Sequence, residues 1–589
     1  MQRESDLEAK LRKQIREERR RQRDTSTSEL CILITQGEIV TATGNLLFHT
    51  PPEKFAEKLK SVLEEVTSLW EKSRRSGSRS HRIGKAHILG FLVKLSIDLG
   101  SFLPNWNLKK GLDEAALNDA ASTVRNVLKK LETACPDVQS EIVHILKADT
   151  MARLKAEGVS GDEVENEADK LLGGSLTDYT LNIAAELKSS NLFEAAESRL
   201  RGATKTELGN DYAAFLQYMI WLGGSFVTTN PVLIKVAWDT DPQRWSSRID
   251  QLIRSKYTPE EISRLLHGPA EKLQEAVTEL NSLVTMSVVG ENCRLLRDIF
   301  LLTDGQEGYV SLQVNPKNHD NGDQMVAEAK RLYEELRQRL GGVPNVVFKL
   351  PATCAGLYAA EKLTSAGIGV TITVSFAVFQ ALQFGKLLDC GQALVTYIAL
   401  MNGRMAFPVR DELRQRGIEG GVEAARWAGV EVARKSYHHL YDTVEEGGMA
   451  VDPARVKLLI ASLRVYDDWL PDISELWGSP VITFFPNVRR KYDSHRRELR
   501  EETVLNKTPS EDLDTLLESE IFRQAWWVPA DAQSRRPQRV LSVEEQDHEA
   551  LVRWKPVANT LGQFIDLYEQ MGEMVKGRMK QLESDPKGE

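Results

Sequence analysis

The chain has 589 residues, of which 41% are hydrophobic, 27% charged and 7% aromatic; this globular balance excludes a collagenous, mucin-like or mostly disordered polypeptide. Its net charge of −9 argues against a general nucleic-acid binder, whose phosphate contacts need surplus Lys and Arg. No apolar run reaches the ~18–20 residues of a membrane helix, and MQRESDLEAKLRK lacks a signal-peptide core, so no membrane association and a cytoplasmic location are expected. The five cysteines are scattered, odd in number and never spaced as CxxC, which predicts reduced thiols and no zinc ribbon. HExxH, GxxxxGK[ST] and GxSxG are absent, so the common zinc-protease, P-loop and serine-hydrolase routes lose their signatures.

Residues 1–25 carry blocks of acid and base around Arg19-Arg20-Arg21, predicting a solvated or frayed helix, with an electrostatic docking arm as the alternative. Two apolar runs, LCILIT and EIVTA, flank Gln36-Gly37 and suggest a short hairpin. Residues 52–200 read as helices, because apolar residues recur at three and four. The stretch RRSGSRSHR at 74–82 breaks that pattern and reads as an exposed basic loop, with a phosphate-binding loop as the alternative.

From about Asp211 the pattern changes to short β-rich runs, each followed by a helical segment: SFVTTN (225–230), GYVSLQV (308–314), NVVFKL (345–350), GVTITVSF (369–376), ALVTYIAL (393–400), VKLLIAS (456–462) and PVITFF (480–485). Strands buried on both faces read as nearly continuous apolar runs, so the alternation predicts a (β/α)8 barrel. Closure needs an eighth strand before SFVTTN, where GATKTELGNDYAAF (202–215) is a poor strand. The expected organisation is a charged tail (1–25), a mainly helical region (26–200), the barrel (201–490) and C-terminal helices packing on it (491–589). Trp526-Trp527 before Pro529 predicts a packed helix end, with a lid over the barrel mouth as the sharper alternative.

Reactive side chains of such barrels sit at the C-terminal strand ends and point inward. In NVVFKLPAT, period two places Val347 and Lys349 on one face and Phe348 and Leu350 on the other. Burial disfavours an ammonium and lowers its pKa, leaving an amine that can attack a carbonyl to form a Schiff base; a buried Lys–acid pair is the alternative. Polar residues recur at the same end of other strands: Thr228, Thr229 and Asn230, then Ser311 and Gln313, then Thr371, Thr373 and Ser375. Arg404 follows ALVTYIAL, and Ser462 and Arg464 share a face beyond VKLLIA, a fork suited to a phosphate monoester.

At these residues the chain resembles the transaldolase family and the related fructose 6-phosphate aldolase-like proteins. The resemblance rests on VTTNPVLI (227–234), GYVSLQV, VVFKLPATCAGLYAAEKLTSAGIGVTITVSFAVFQA (346–381), NGR (402–404) and LIASLR (459–464), with FRQAWW and FIDLYEQM further on. It implies a transaldolase-type barrel and a transferase of the pentose phosphate type, in which Lys349 forms an imine with a ketose phosphate and passes a dihydroxyacetone unit to an aldose phosphate. It further implies that Asn230 contacts substrate hydroxyls, that Thr373 and Gln313 position the catalytic water, and that Arg404, Ser462 and Arg464 bind phosphate. Thr229, Ser311, Thr371 and Ser375 complete the expected lining; neither a metal nor an organic cofactor is expected, because the lysine itself serves as the electron sink, and a homo-oligomer is an open option.

The chain departs from the family at three points. Gln313 stands where a glutamate is usual and is a feature of the aldolase-like branch; it orients water but accepts no proton. Leu208 falls where the first-strand aspartate is expected, leaving Glu207 or Asp211 to replace it after a local shift. Thr371 and Ala399 stand where many transaldolases have asparagine and serine. These differences keep two alternatives beside transfer: simple aldol cleavage, and a catalytically impaired sugar-phosphate-binding scaffold.

Overall fold

In the computed structural model, which describes residues 6–22, 25–73, 79–230, 235, 238–239, 242–529, 531 and 538–584, eight parallel strands close into a barrel in chain order. They are β1 (Glu207–Asn210), β2 (Phe226–Thr228), β3 (Tyr309–Gln313), β4 (Val346–Pro351), β5 (Val370–Ser375), β6 (Thr396–Leu400), β7 (Val456–Ile460) and β8 (Val481–Phe484). Helices follow the strands on the outside, so the fold is the (β/α)8 barrel that the alternating pattern predicts. One side-chain layer, including Phe226, Val347, Tyr397, Leu459 and Val481, fills the interior. The other, including Val310, Phe348, Leu350, Ile372, Ile398 and Leu458, packs into the larger core against the helices. Period-two alternation with both faces apolar is what a parallel strand buried on both sides requires.

The eighth strand is ELGN, paired with β2 on one side and β8 on the other. Glu207 is buried in an ion pair with Lys457 of β7 at 2.7 Å, and a Cβ on Gly209 would lie 2.7 Å from Thr483 Cγ2 and 3.2 Å from Phe226. A carboxylate and a glycine therefore stand in register with the apolar Val481 of β8 and Phe226 of β2.

The N-terminal charged segment forms α1 (Asp6–Gln22) and is docked rather than solvated. Ile15 is fully buried with Phe300 and Leu394, Arg12 donates to the Asp304 carbonyl at 2.9 Å, and Glu18 pairs with Arg297 at 2.5 Å. The hairpin expected around Gln36-Gly37 is absent: the same residues form α2 (Thr27–Gln36) and α3 (Ile39–Gly44). Ser26 and Glu29 make a reciprocal capping box at the start of α2, and Gly37 closes it in the left-handed conformation, φ 86°. A Gln-Gly step serves a helix C-cap as readily as a turn, and the upstream capping box decides between them.

Of the basic stretch 74–82, residues 74–78 lie outside the described residues, and His81 and Arg82 belong to the helix Arg79–Gly100. Trp526 and Trp527 end the helix Glu520–Trp526 as a packed terminus, with Trp526 beneath Lys435 on the outer helix Ala428–Tyr441. They are not a lid. The helix that reaches the C-terminal mouth is Lys555–Ser584. Among the described residues no helix is long and apolar enough to cross a membrane.

Candidate active site

Lys349 sits near the C-terminal end of β4, between Gln313 of β3 and Thr371 of β5 in the strand register. Only 4% of it is exposed, and among the described residues it makes no ion pair, which separates it from the alternative of a buried Lys–acid pair. Burial, reinforced by the positive charge of Arg404, pushes its amine down to about 8, against the opposing pull of Asp211. Such an amine is a nucleophile toward a carbonyl carbon near neutral pH.

Asp211 directly follows β1 and is buried. Its backbone N–H donates to the Phe484 carbonyl at 2.9 Å; its side chain accepts from the Thr228 hydroxyl and, at 3.2 Å, from the Ser462 N–H. Three strand ends thus hold one carboxylate, near enough to Lys349 and Arg404 to act on the charge of both. Glu207 is at the other end of the same strand, committed to Lys457 and to the Ser225 hydroxyl. Leu208 belongs to the outer, helix-facing core. Of the two carboxylates read from the sequence, Asp211 is the one in the site.

Arg404 lies in the first turn of the helix Asn402–Gln415, and Arg464 in the loop after β7. Burial and the neighbouring Arg464 push the Arg404 guanidinium down to about 10, the mark of two like charges held together. Arg464 is fixed through its backbone: its N–H donates to Asp472 at 2.8 Å, while its Nη1 donates to the Ser462 carbonyl at 3.0 Å. Burial raises the Asp472 carboxyl to about 6 despite that hydrogen bond. Ser462 takes φ 60°, which turns its N–H to Asp211 and its carbonyl to Arg464. Gly403 is needed for this close approach, since a Cβ there would lie 2.4 Å from Arg464 Cγ and from the Ser462 carbonyl.

Around Lys349, the side-chain oxygens of Ser311, Gln313, Thr371 and Ser375 are buried without hydrogen-bond partners among the described residues. Orphaned buried polar atoms are costly and uncommon; four on neighbouring strands mark a surface shaped for polar ligand groups. The β5 register slips between Ile372 and Ser375, where the β-branched Val374 takes φ 55°. Bulges of this kind re-aim side chains beside functional sites. Thr373 is buried, with its hydroxyl 3.8 Å from Met401 Sδ. Thr229 donates its hydroxyl to the Ser311 carbonyl at 2.6 Å and so fixes the loop that carries Asn230. Asn230 and Gln313 line one cleft together with Glu328 and Tyr568. The segment 231–234 of VTTNPVLI lies outside the described residues.

Four contributors escaped sequence reading: Thr228 as a holder of Asp211, Asp472 as a holder of Arg464, and Gln563 and Phe564 of the C-terminal helix at Arg404. Thr228 was visible as one of three polar residues ending its strand, and FIDLYEQM marked the helix; nothing in the sequence marked Asp472 or Gln563.

The chain is therefore a (β/α)8 barrel protein in which a buried lysine with no ion pair among the described residues, a carboxylate and an arginine pair gather at the C-terminal mouth. The family model described as transaldolase/fructose-6-phosphate aldolase matches residues 215–527, and the chain belongs to that family. It is 29% identical over 208 residues to a transaldolase of Neisseria meningitidis serogroup C, covering 32% of this chain and 56% of that protein. Similarity to a Thiobacillus denitrificans transaldolase is 30% over 232 residues, 38% of this chain and 58% of the relative. With a Thermobifida fusca transaldolase it is 25% over 290 residues, 43% and 77%. The chain thus spans little more than half the length of the Neisseria and Thiobacillus relatives.

Proposed function

We propose that the protein is a transaldolase-type transferase that moves a dihydroxyacetone unit between sugar phosphates through an imine on Lys349. The observation that carries this reading is a buried amine with no ion pair among the described residues, its pKa lowered to about 8, beside Asp211 and on the same barrel mouth as Arg404 and Arg464. The neutral Lys349 Nζ adds to the ketose carbonyl and, with loss of water, leaves a protonated imine. Asp211 takes the proton of the hydroxyl at the far carbon as the carbon–carbon bond breaks. The electron pair of that bond passes to the imine, giving an enamine and a free aldose phosphate. Addition of the enamine to a second aldose phosphate, with the proton returned from Asp211, and hydrolysis of the new imine complete the cycle.

Arg404, Arg464 and Ser462 would hold the phosphate through charge-assisted hydrogen bonds. Asn230, with Thr229, Ser311, Thr371 and Ser375, would meet the sugar hydroxyls, and Gln313 and Thr373 would orient the water. Gln313 also supports a second reading, simple cleavage of fructose 6-phosphate, because glutamine at this position is a feature of the aldolase-like branch that the chain resembles. The position of Asp211 argues against an impaired scaffold.

The test is borohydride reduction in the presence of fructose 6-phosphate, followed by intact mass. An adduct that is lost in Lys349→Ala supports the imine, and no adduct with any ketose phosphate refutes it. Adding erythrose 4-phosphate then separates the readings: sedoheptulose 7-phosphate forms under transfer but not under cleavage alone.

A further inference from the structure

The helix Lys555–Ser584 lies beyond the segment that the family model matches, yet it supplies contacts to both sides of the site. The Gln563 side-chain oxygen accepts a hydrogen bond from Arg404 Nη1, and the Phe564 ring centroid lies 5.7 Å from the Arg404 guanidinium carbon. Four residues on, and so on the same helix face, Tyr568 lines the cleft beside Asn230 and Gln313.

Two arginines held together repel, and a guanidinium on a long side chain reaches an anion only if something fixes its fork. Arg464 is fixed by carbonyls of its own strand end. Arg404 has Gln563 instead, while its Nε is buried with no partner among the described residues. An amide oxygen orients the fork without cancelling its charge. A carboxylate at the same place would make the stronger bond to Arg404 but would set a negative charge against an incoming phosphate dianion.

We propose that Gln563 is a positioning residue that holds Arg404 for the phosphate group of a phosphorylated sugar, and that its neutrality is what the site requires. The proposal rests on reading this mouth as a sugar-phosphate site, but its test does not depend on the imine. Inorganic phosphate is titrated calorimetrically into the full chain as wild type, Gln563→Glu and Gln563→Ala, with melting temperature as the check on folding. Phosphate binding should weaken about tenfold in Gln563→Glu and about threefold in Gln563→Ala, an order set by charge. A purely structural hydrogen bond gives the reverse order, because glutamate keeps that bond and alanine loses it.

Equal affinities in the three proteins, weaker binding by the alanine variant than by the glutamate variant, or no phosphate binding by wild type each overturns the proposal. If Gln563→Glu does not fold, unchanged affinity in Gln563→Ala overturns it as well. Borohydride trapping of dihydroxyacetone, which carries no phosphate, reports on Lys349 separately. A missing adduct there sinks the imine and leaves the phosphate titration to decide Gln563.

Discussion

The lowered pKa of Lys349 is a statement about stability as well as reactivity. Burial takes the amine from 10.5 to about 8, with Arg404 adding to the shift. Between those values the unfolded chain binds the proton and the folded chain does not, so the Lys349 contribution to stability rises with pH through that window. Below about pH 8 the full cost of charging the buried amine is present. At 1.36 kcal/mol per pKa unit, the cost at about pH 7 is about 3 kcal/mol, and it has nearly vanished at about pH 10.5. Methionine has nearly the same shape and no charge.

Lys349→Met should therefore be more stable than wild type at about pH 7 by up to about 3 kcal/mol, an advantage that shrinks as pH rises. Chemical denaturation of both proteins from about pH 7 to pH 10.5 measures the difference directly, and other titrating groups cancel between them. The same shift sets reactivity: at about pH 7 roughly a tenth of the amines are neutral, about 300-fold more than at a pKa of 10.5. Borohydride trapping should accordingly rise with pH around a midpoint near 8. A stability difference that stays constant with pH, together with a trapping midpoint above about 10, would refute the claim that burial and Arg404 disarm the ammonium.

Asp211→Asn should reduce turnover by ~10²–10⁴-fold and raise the trapped imine relative to turnover; steady-state rates and intact mass check both, and an unchanged rate removes the acid/base role. Gly403→Ala should cost about 1–3 kcal/mol, because a Cβ at 2.4 Å from Arg464 and Ser462 forces the Arg404 helix and the Arg464 loop apart. Denaturation together with phosphate affinity reads it, and wild-type values for both would refute the close packing. Lys457→Met should destabilise by about 3–5 kcal/mol by leaving Glu207 buried and unpaired, the opposite sign to Lys349→Met at about pH 7. Thermal unfolding of the two variants side by side is decisive.

Seven strands were legible because their residues satisfy two apolar faces at once, a pattern that few other structures produce. β1 was not, because its inward positions hold the Glu207 ion pair and the close approach at Gly209, neither of which resembles strand chemistry. The hairpin was misread for a related reason: Gln36-Gly37 is a turn signal, and only the Ser26–Glu29 capping box tells which element it terminates. In the site, Lys349 stood out because a lysine among Val, Val, Phe and Leu demands an explanation. Ser462 and Arg464 were visible as a pair on one face. Gln563 could not be seen, being one polar residue on an amphipathic helix whose partner is 159 positions away.

The two ends of the barrel show why charge alone does not identify a site. At the N-terminal mouth Glu207 meets Lys457, and Arg199 meets Glu307 at 2.7 Å. Although burial opposes it, Arg199 and then Lys457 hold the Glu307 carboxyl down at about 2, and the two acids share the Ser225 hydroxyl. Each of these four charged side chains has a matched opposite within ion-pair distance. At the C-terminal mouth the lysine has no ion pair among the described residues, the two arginines depress rather than neutralise, and the carboxylate is held by a hydroxyl and an N–H instead of by a cation. Proteins tolerate such imbalance where the missing interactions are made to a ligand. The barrel therefore has matched charges at one end and unmatched ones at the other, and the opposite signs expected for Lys457→Met and Lys349→Met follow from that division.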